Sequence, residues 1–95
     1  MAETNVIRED GPTGGRYVTA IYGHTAEMTS SKAGAARLII DYAGVPDALR
    51  GKGAGQALVR RAVEDARAAG ISIIPLCPFA RAQIDKHPEW QDVLA

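Results

Sequence analysis

The chain has 95 residues, 46% hydrophobic and 23% charged, with 11 acidic side chains against 11 basic ones. That length holds one small domain with a thin core, and that composition belongs to a folded globular chain rather than a disordered one. A formal net charge of zero excludes broad electrostatic attraction to nucleic acid and leaves only local basic patches.

The start of the chain shows no charged-then-apolar leader, and no apolar run reaches membrane-spanning length, so a cytoplasmic protein without membrane attachment is expected. Residues 1–15 are polar and end in Gly11-Pro12-Thr13-Gly14-Gly15, which predicts an N-terminal tail with at most a short edge strand over residues 5–8. The main domain is then residues 16–95. Residues 16–22 are rich in β-formers (Tyr17, Val18, Ile21, Tyr22). Gly23-His24 reads as a tight turn, and residues 25–30 alternate small or apolar with polar, which makes a hairpin. A second turn over residues 31–34 leads to a third strand at 36–42, so three antiparallel strands form a meander. Pro46 ends the strand region because proline cannot donate to a ladder.

Ala54, Leu58, Ala62, Ala66 and Ala69 recur at helical spacing with Val59 and Val63 beside them, while Arg60, Arg61, Glu64, Asp65 and Arg67 fall largely outside that stripe. Arg60–Glu64 and Arg61–Asp65 are opposite charges one helical turn apart, each worth about 0.2–0.5 kcal/mol. Gly70 is the natural C-terminal cap. Residues 71–76 are too apolar for a strand with one wet face, which predicts a central strand covered on both sides. Pro78 suits the first turn of a second helix reaching residue 86; His87-Pro88 breaks it, and residues 89–94 form a further helical turn or two. The predicted class is α+β (α/β): a mixed sheet with an antiparallel meander, a right-handed β-α-β crossover giving a parallel pair, and short C-terminal helices.

The segment Arg50-Gly51-Lys52-Gly53-Ala54-Gly55 joins the last meander strand to the helix. Such a turn gathers bare backbone N–H groups and the positive end of a helix dipole, where phosphate oxygens bind well. It lacks the Gly-Lys-Ser/Thr ending of a nucleoside-triphosphate loop and the spacing of a dinucleotide fingerprint. A glycine-eased turn with surface charges is the bland alternative. Alternating glycines at 51, 53 and 55 exceed what a turn needs, and each costs about 0.5–1 kcal/mol against alanine where the chain is regular. The pattern Arg/Gln-x-x-Gly-x-Gly/Ala, with Arg50, Gly53 and Gly55 at its defined positions, resembles the pyrophosphate motif of GCN5-related N-acetyltransferases. Val45-Pro46, Pro75-Leu76-Cys77-Pro78-Phe79 and His87-Pro88-Glu89-Trp90 extend the likeness over residues 25–94, and look like a minimal single-domain subgroup of that family, the YjdJ-type proteins. The resemblance implies that acetyl-coenzyme A lies in a V-shaped opening between two splayed parallel strands. It implies pyrophosphate on the amides of residues 52–55 and pantetheine paired with residues 40–45. The implied cofactor-binding set is Val45, Arg50, Gly51, Lys52, Gly53, Ala54 and Gly55.

Cys77 is the only cysteine, which excludes an internal disulfide and fits a reducing compartment. A lone cysteine is commonly a small buried hydrophobe. Cys77, however, ends a predicted parallel strand, where α/β folds place ligands, and precedes a helix start, which favours the nucleophilic form. The resemblance implies that Cys77 is catalytic, as a transient acetyl acceptor. Many members of the family it resembles carry histidine then threonine ahead of the Val-Pro pair, whereas this chain has Tyr42 and Ala43; if that histidine deprotonates the incoming amine, Tyr42 or a water substitutes here. Glu27 and Asp41 are the carboxylates placed to attract a cationic amine. His24 reads as surface, His87 as structural in preference to a base, and Trp90 as a packing anchor. No histidine, cysteine and carboxylate set has metal-ligand spacing, so no metal is expected.

These readings favour an acetyl-coenzyme A-dependent N-acetyltransferase acting on a small-molecule or protein amine, with a strand amide near Val45 stabilising the oxyanion. A coenzyme A-binding module with little transferase activity, serving as sensor or protein partner, is the alternative. A phosphate- or nucleic-acid-binding domain using Arg50, Lys52, Arg60 and Arg61 is a weaker third. No nucleic acid or membrane partner is expected, and the chain is expected to be a monomer or weak homodimer.

Overall fold

The β-forming runs of the first half pair in sequence order. In the computed structural model, which describes residues 6–12, 14–21, 23–34, 36–49 and 53–94, they are β1 (Ile7–Asp10), β2 (Gly14–Ile21), β3 (His24–Ala33) and β4 (Arg37–Gly44). A 3-10 turn (Asp47–Leu49) leads to α1 (Ala54–Ala69), then β5 (Ser72–Pro75), α2 (Pro78–Asp85) and a closing 3-10 segment (Pro88–Val93). The five strands form one sheet in the order β1-β2-β3-β4-β5, antiparallel through β4 and parallel between β4 and β5. This is the mixed α+β architecture with its meander, crossover and C-terminal helices.

Several boundaries differ from the sequence reading. The edge strand covers Ile7–Asp10 rather than residues 5–8, and Gly14 and Gly15 already belong to β2. Polar side chains hold this edge: the Arg16 guanidinium pairs with Glu9 and with Glu27 at 3.0 Å, and Arg8 reaches Asp65 on α1 at 3.1 Å. Periodicity of apolar residues does not register such contacts. His24 pairs with Ile21 as the first residue of β3, and β3 runs through the expected second turn because Ser31, Lys32 and Ala33 pair with Ile39, Leu38 and Arg37. The apolar segment after Gly70 is not central. Among the described residues β5 lies at the end of the sheet with β4 as its only full strand partner, and its far side is met by an isolated parallel bridge between Ile73 and Leu94. The C-terminal segment, rather than a sixth strand, accounts for that hydrophobicity.

Tyr17, Ala26, Met28, Ile40 and Ile73 are buried with the stripe of α1, in which Leu58, Val59, Ala62, Val63 and Ala66 are fully inaccessible. Alanines bring the helix close to the sheet, and burial of each larger aliphatic side chain stabilises by about 1.5–3 kcal/mol. The Gly70 N–H closes α1 on the carbonyls of Ala66 and Arg67.

One irregularity decides what faces the helices near the end of β4. Ser30 pairs with Ile40 but Thr29 pairs with Tyr42, so Asp41 is the extra residue of a β-bulge. Simple alternation would put Tyr42 under the helices with Ile40. The bulge reverses the parity, so Ala43 and Val45 pack towards the core and Tyr42 is exposed on the other face.

Candidate active site

The parallel pair opens into a fork. Pairing between β4 and β5 ends at Ile40 and Pro75, and the N–H groups of Leu76 and Cys77 both donate to the Ile40 carbonyl, at 3.1 and 3.2 Å. β4 continues to Gly44 beside β3 alone, while the chain after β5 turns into α2. A cleft of about 610 Å³ lies at this opening. Ala43 and Val45 contribute one wall, Leu49 the floor of the loop, residues 53–56 the start of α1, and Phe79 and Gln83 the α2 side.

The end of the glycine turn, Gly53 to Gly55, lines the cleft for physical reasons visible at two positions. Gly53, at φ 82°, adopts the left-handed conformation that starts α1, and offers no side-chain cap. Its carbonyl accepts the first helical bond from the Ala57 N–H at 2.9 Å. The amides of Ala54, Gly55 and Gln56 therefore precede any intrahelical acceptor and face the positive end of a sixteen-residue helix. At Gly55 a Cβ would collide with the Phe79 ring, so the missing side chain lets α2 close against α1. Both features suit an anion with a long apolar arm: donors at one end and Val45, Leu49 and Phe79 along the wall.

Val45, Gly53, Ala54 and Gly55 of the sequence-derived binding set are brought together here, whereas Arg50, Gly51 and Lys52 lie outside the described residues. Gln56 and Gln83 also line the cleft, and sequence reasoning passed over both. They are tied through His87. Its Nδ1 lies 2.7 Å from the Gln83 carbonyl and its Nε2 lies 3.3 Å from Gln56 Nε2, and the ring stacks on Trp90 with centroids 3.9 Å apart. A carbonyl can only accept, so Nδ1 carries the proton and Nε2 accepts from the Gln56 amide. His87 is thus a clamp between α1 and α2 at the rim of the cleft.

The two candidate catalytic side chains sit apart from the cleft wall. Cys77 caps the start of α2 at 7% exposure within the core cluster, and its carbonyl accepts the Arg81 N–H at 3.0 Å. Tyr42, 57% exposed, lines a second cavity of about 470 Å³ with Thr25, Glu27, Gly44, Val45 and Pro46. Val45 borders both cavities, which open on either face of the sheet at the end of β4. Glu27 pairs with Arg16, and Asp41 accepts a hydrogen bond from the Ser31 hydroxyl. His24 is exposed.

The clearest perturbed titrations belong to the scaffold. Burial, then the hydrogen bond to Asp65, pushes the Tyr17 phenol above its ordinary range. The Arg67 hydrogen bond holds the Asp92 carboxyl below its ordinary range, through contacts of 2.8 and 2.9 Å that fasten the last segment to α1. Among the described residues no group of three or more histidine, cysteine and carboxylate side chains could hold a metal ion, and no helix is long and apolar enough to cross a membrane.

A family model described as GCN5-related N-acetyl-transferase matches residues 16–93. The solution structure of a GCN5-like protein from Staphylococcus aureus is similar at 29% identity, over 98% of this chain and 91% of that one, with a TM-score of 0.73. No curated protein matches. Fold and sequence together define an acetyltransferase domain. The chain belongs to the GCN5-related N-acetyltransferase family, whose members in general use acetyl-coenzyme A.

Proposed function

We propose that this protein binds acetyl-coenzyme A in the forked cleft and transfers the acetyl group to an amine. The observation that carries this reading is the juxtaposition of the β4/β5 fork with a glycine-headed helix start that lacks a side-chain cap. Acetyl-coenzyme A supplies an activated acyl thioester. The amides of residues 54–56 hold its pyrophosphate, assisted by the positive charges of Arg50 and Lys52 and by the bare backbone of Gly51, and the end of β4 through Val45 receives the pantetheine arm. In the overall reaction a nitrogen–carbon bond forms, the carbon–sulfur bond of the thioester breaks, and the amine's proton leaves by way of Tyr42 or a water.

Cys77, at the base of the fork, is proposed as a transient acceptor: its sulfur takes the acetyl group as coenzyme A leaves as the free thiol, and the amine then takes it from Cys77. The protein works in the cytoplasm, in keeping with its single cysteine, and as a monomer or weak dimer, in keeping with its small core. One observation favours a second reading: Cys77 is only 7% exposed, which suits a coenzyme A-binding module with little turnover.

Coenzyme A added to ¹⁵N-labelled protein is expected to shift the amides of residues 53–56 before any others. If excess coenzyme A leaves them in place, the cleft is not its site. Incubation with acetyl-coenzyme A and a panel of amines, followed by free thiol and intact mass, separates the rest. Turnover supports the enzyme, a stoichiometric adduct lost in Cys77→Ala supports the acceptor, and binding without thiol release supports the module.

A further inference from the structure

We propose that the second cavity, on the sheet face opposite α1, is the acceptor site and that it selects a primary alkylammonium group through Glu27 and Tyr42. This rests on the acetyltransferase reading above, but its chemistry stands on different residues. The antiparallel register lays two rows of side chains across this face: Glu9, Arg16, Thr29 and Tyr42 in one, Ile7, Val18, Glu27 and Gly44 in the next. The cavity of about 470 Å³ opens where the rows end, beside Pro46. Among the described residues, Glu27 is the only carboxylate that lines it. The Tyr42 ring folds over Gly44, its hydroxyl 3.0 Å from where a Cβ would stand, and forms an aromatic wall that a larger residue at 44 would displace.

A carboxylate beside an exposed aromatic face is the chemistry that binds an alkylammonium, by a charge-assisted hydrogen bond and by attraction to the ring. Arg16 already bonds one oxygen of Glu27 at 3.0 Å but is shared with Glu9, so these two carboxylates and one guanidinium together remain net negative, and Asp41 adds a further carboxylate nearby in β4. Anionic acceptors are therefore disfavoured. Because Val45 borders both cavities, an amine held here approaches the end of β4 from one face while the acyl group lies on the other. The bulge at Asp41 creates this arrangement by turning Tyr42 outward and Ala43 inward. The ammonium group can belong to a lysine side chain or to a free diamine.

The test uses ¹⁵N-labelled protein in the presence of coenzyme A, titrated separately with 1,5-diaminopentane, with Nα-acetyl-lysine amide and with 1-pentanol. Both amines should shift the amides of Thr25, Glu27, Tyr42 and Gly44, and the neutral alcohol should not. Tighter binding of the lysine derivative assigns the site to a peptide lysine, and tighter binding of the diamine assigns it to a polyamine. Glu27→Gln should weaken both amines at least tenfold without changing coenzyme A affinity, whereas Arg16→Gln, which frees the carboxylate, should strengthen them. The proposal is overturned if the amines leave these amides unmoved, if the alcohol binds equally well, or if Glu27→Gln binds the amines as tightly as the parent. Failure of the coenzyme A reading shows elsewhere, in unmoved amides at residues 53–56.

Discussion

Helix α1 meets the rest of the protein at two ends that are built on opposite lines. Towards its C-terminal half, Asp65 accepts hydrogen bonds from the Tyr17 hydroxyl at 3.0 Å, from Arg8 at 3.1 Å and from Arg61 at 3.2 Å, and Arg61 also donates to the Val6 carbonyl. Polar groups there answer one another and stitch the meander to the helix. At its N-terminal end, Gly53 supplies no cap, Gly55 gives up a side chain to Phe79, and the first amides look into a cleft. One helix thus divides its labour. Internal satisfaction of hydrogen bonds marks the part that holds the fold, and backbone donors left facing a cleft mark the part we propose as the binding end.

The sharpest way to break this comparison is Asp65→Ala. The Tyr17 hydroxyl loses its acceptor in a part-buried site and two guanidinium groups face each other without their carboxylate. The expected cost is about 1–3 kcal/mol, most of it from the stranded phenol because the arginines are substantially exposed to water. Urea unfolding should show that loss while coenzyme A still shifts residues 53–56 as in the parent. A parallel fall in coenzyme A affinity would mean the two ends act as one unit.

The helix and its stripe, its Gly70 cap and the meander were legible because local periodicity and burial agree there: Leu58, Ala62 and Ala66 are fully inaccessible, and Arg61 pairs with Asp65. The helix start at Gly53 to Gly55 was legible too, since a helix start that faces a cleft and packs against Phe79 needs small residues. What escaped was non-local. The placing of β5 at the sheet's end depends on Leu94 meeting Ile73 from twenty-one residues away. The bulge at Asp41 leaves no mark in composition, yet it decides that Tyr42 faces away from the cleft beside α1. Gln56 and Gln83 carry no motif, and only the imidazole of His87 between them shows that they form one rim.

A smaller effect probes the binding end. Gly55→Ala gains helix propensity of about 1 kcal/mol, but its Cβ strikes the Phe79 ring. The ring is the free end of a side chain and can swing, and the space beside it is the cleft that Phe79 lines. Stability should therefore stay within about 1 kcal/mol of the parent, while coenzyme A affinity falls about tenfold, equivalent to about 1.4 kcal/mol. Calorimetric titration reads the loss, and Phe79→Ala in the same chain should restore part of it. Unchanged affinity in Gly55→Ala would remove Gly55 from the binding surface.

The gentlest probe returns to the stitched end and uses pH. The folded Tyr17 phenol titrates above its ordinary value of 10.0 because burial, and then Asp65, disfavour the phenolate. A group whose folded pKa is raised contributes its full stability below the unfolded value and loses it as pH climbs from there towards the folded one. The protein should therefore hold its Tyr17 contribution through neutral and mildly alkaline pH and begin to lose it near pH 10. With the unfolded phenol half ionised and the folded phenol neutral, that loss is about 0.4 kcal/mol at about pH 10. Tyr17→Phe lacks the proton and should show no such term, so the stability difference between parent and variant should narrow as pH rises from 8 to 10. A difference that stays constant across this range would mean that the phenol is not held neutral by the fold, and that the stitch to Asp65 is looser than its 3.0 Å contact indicates.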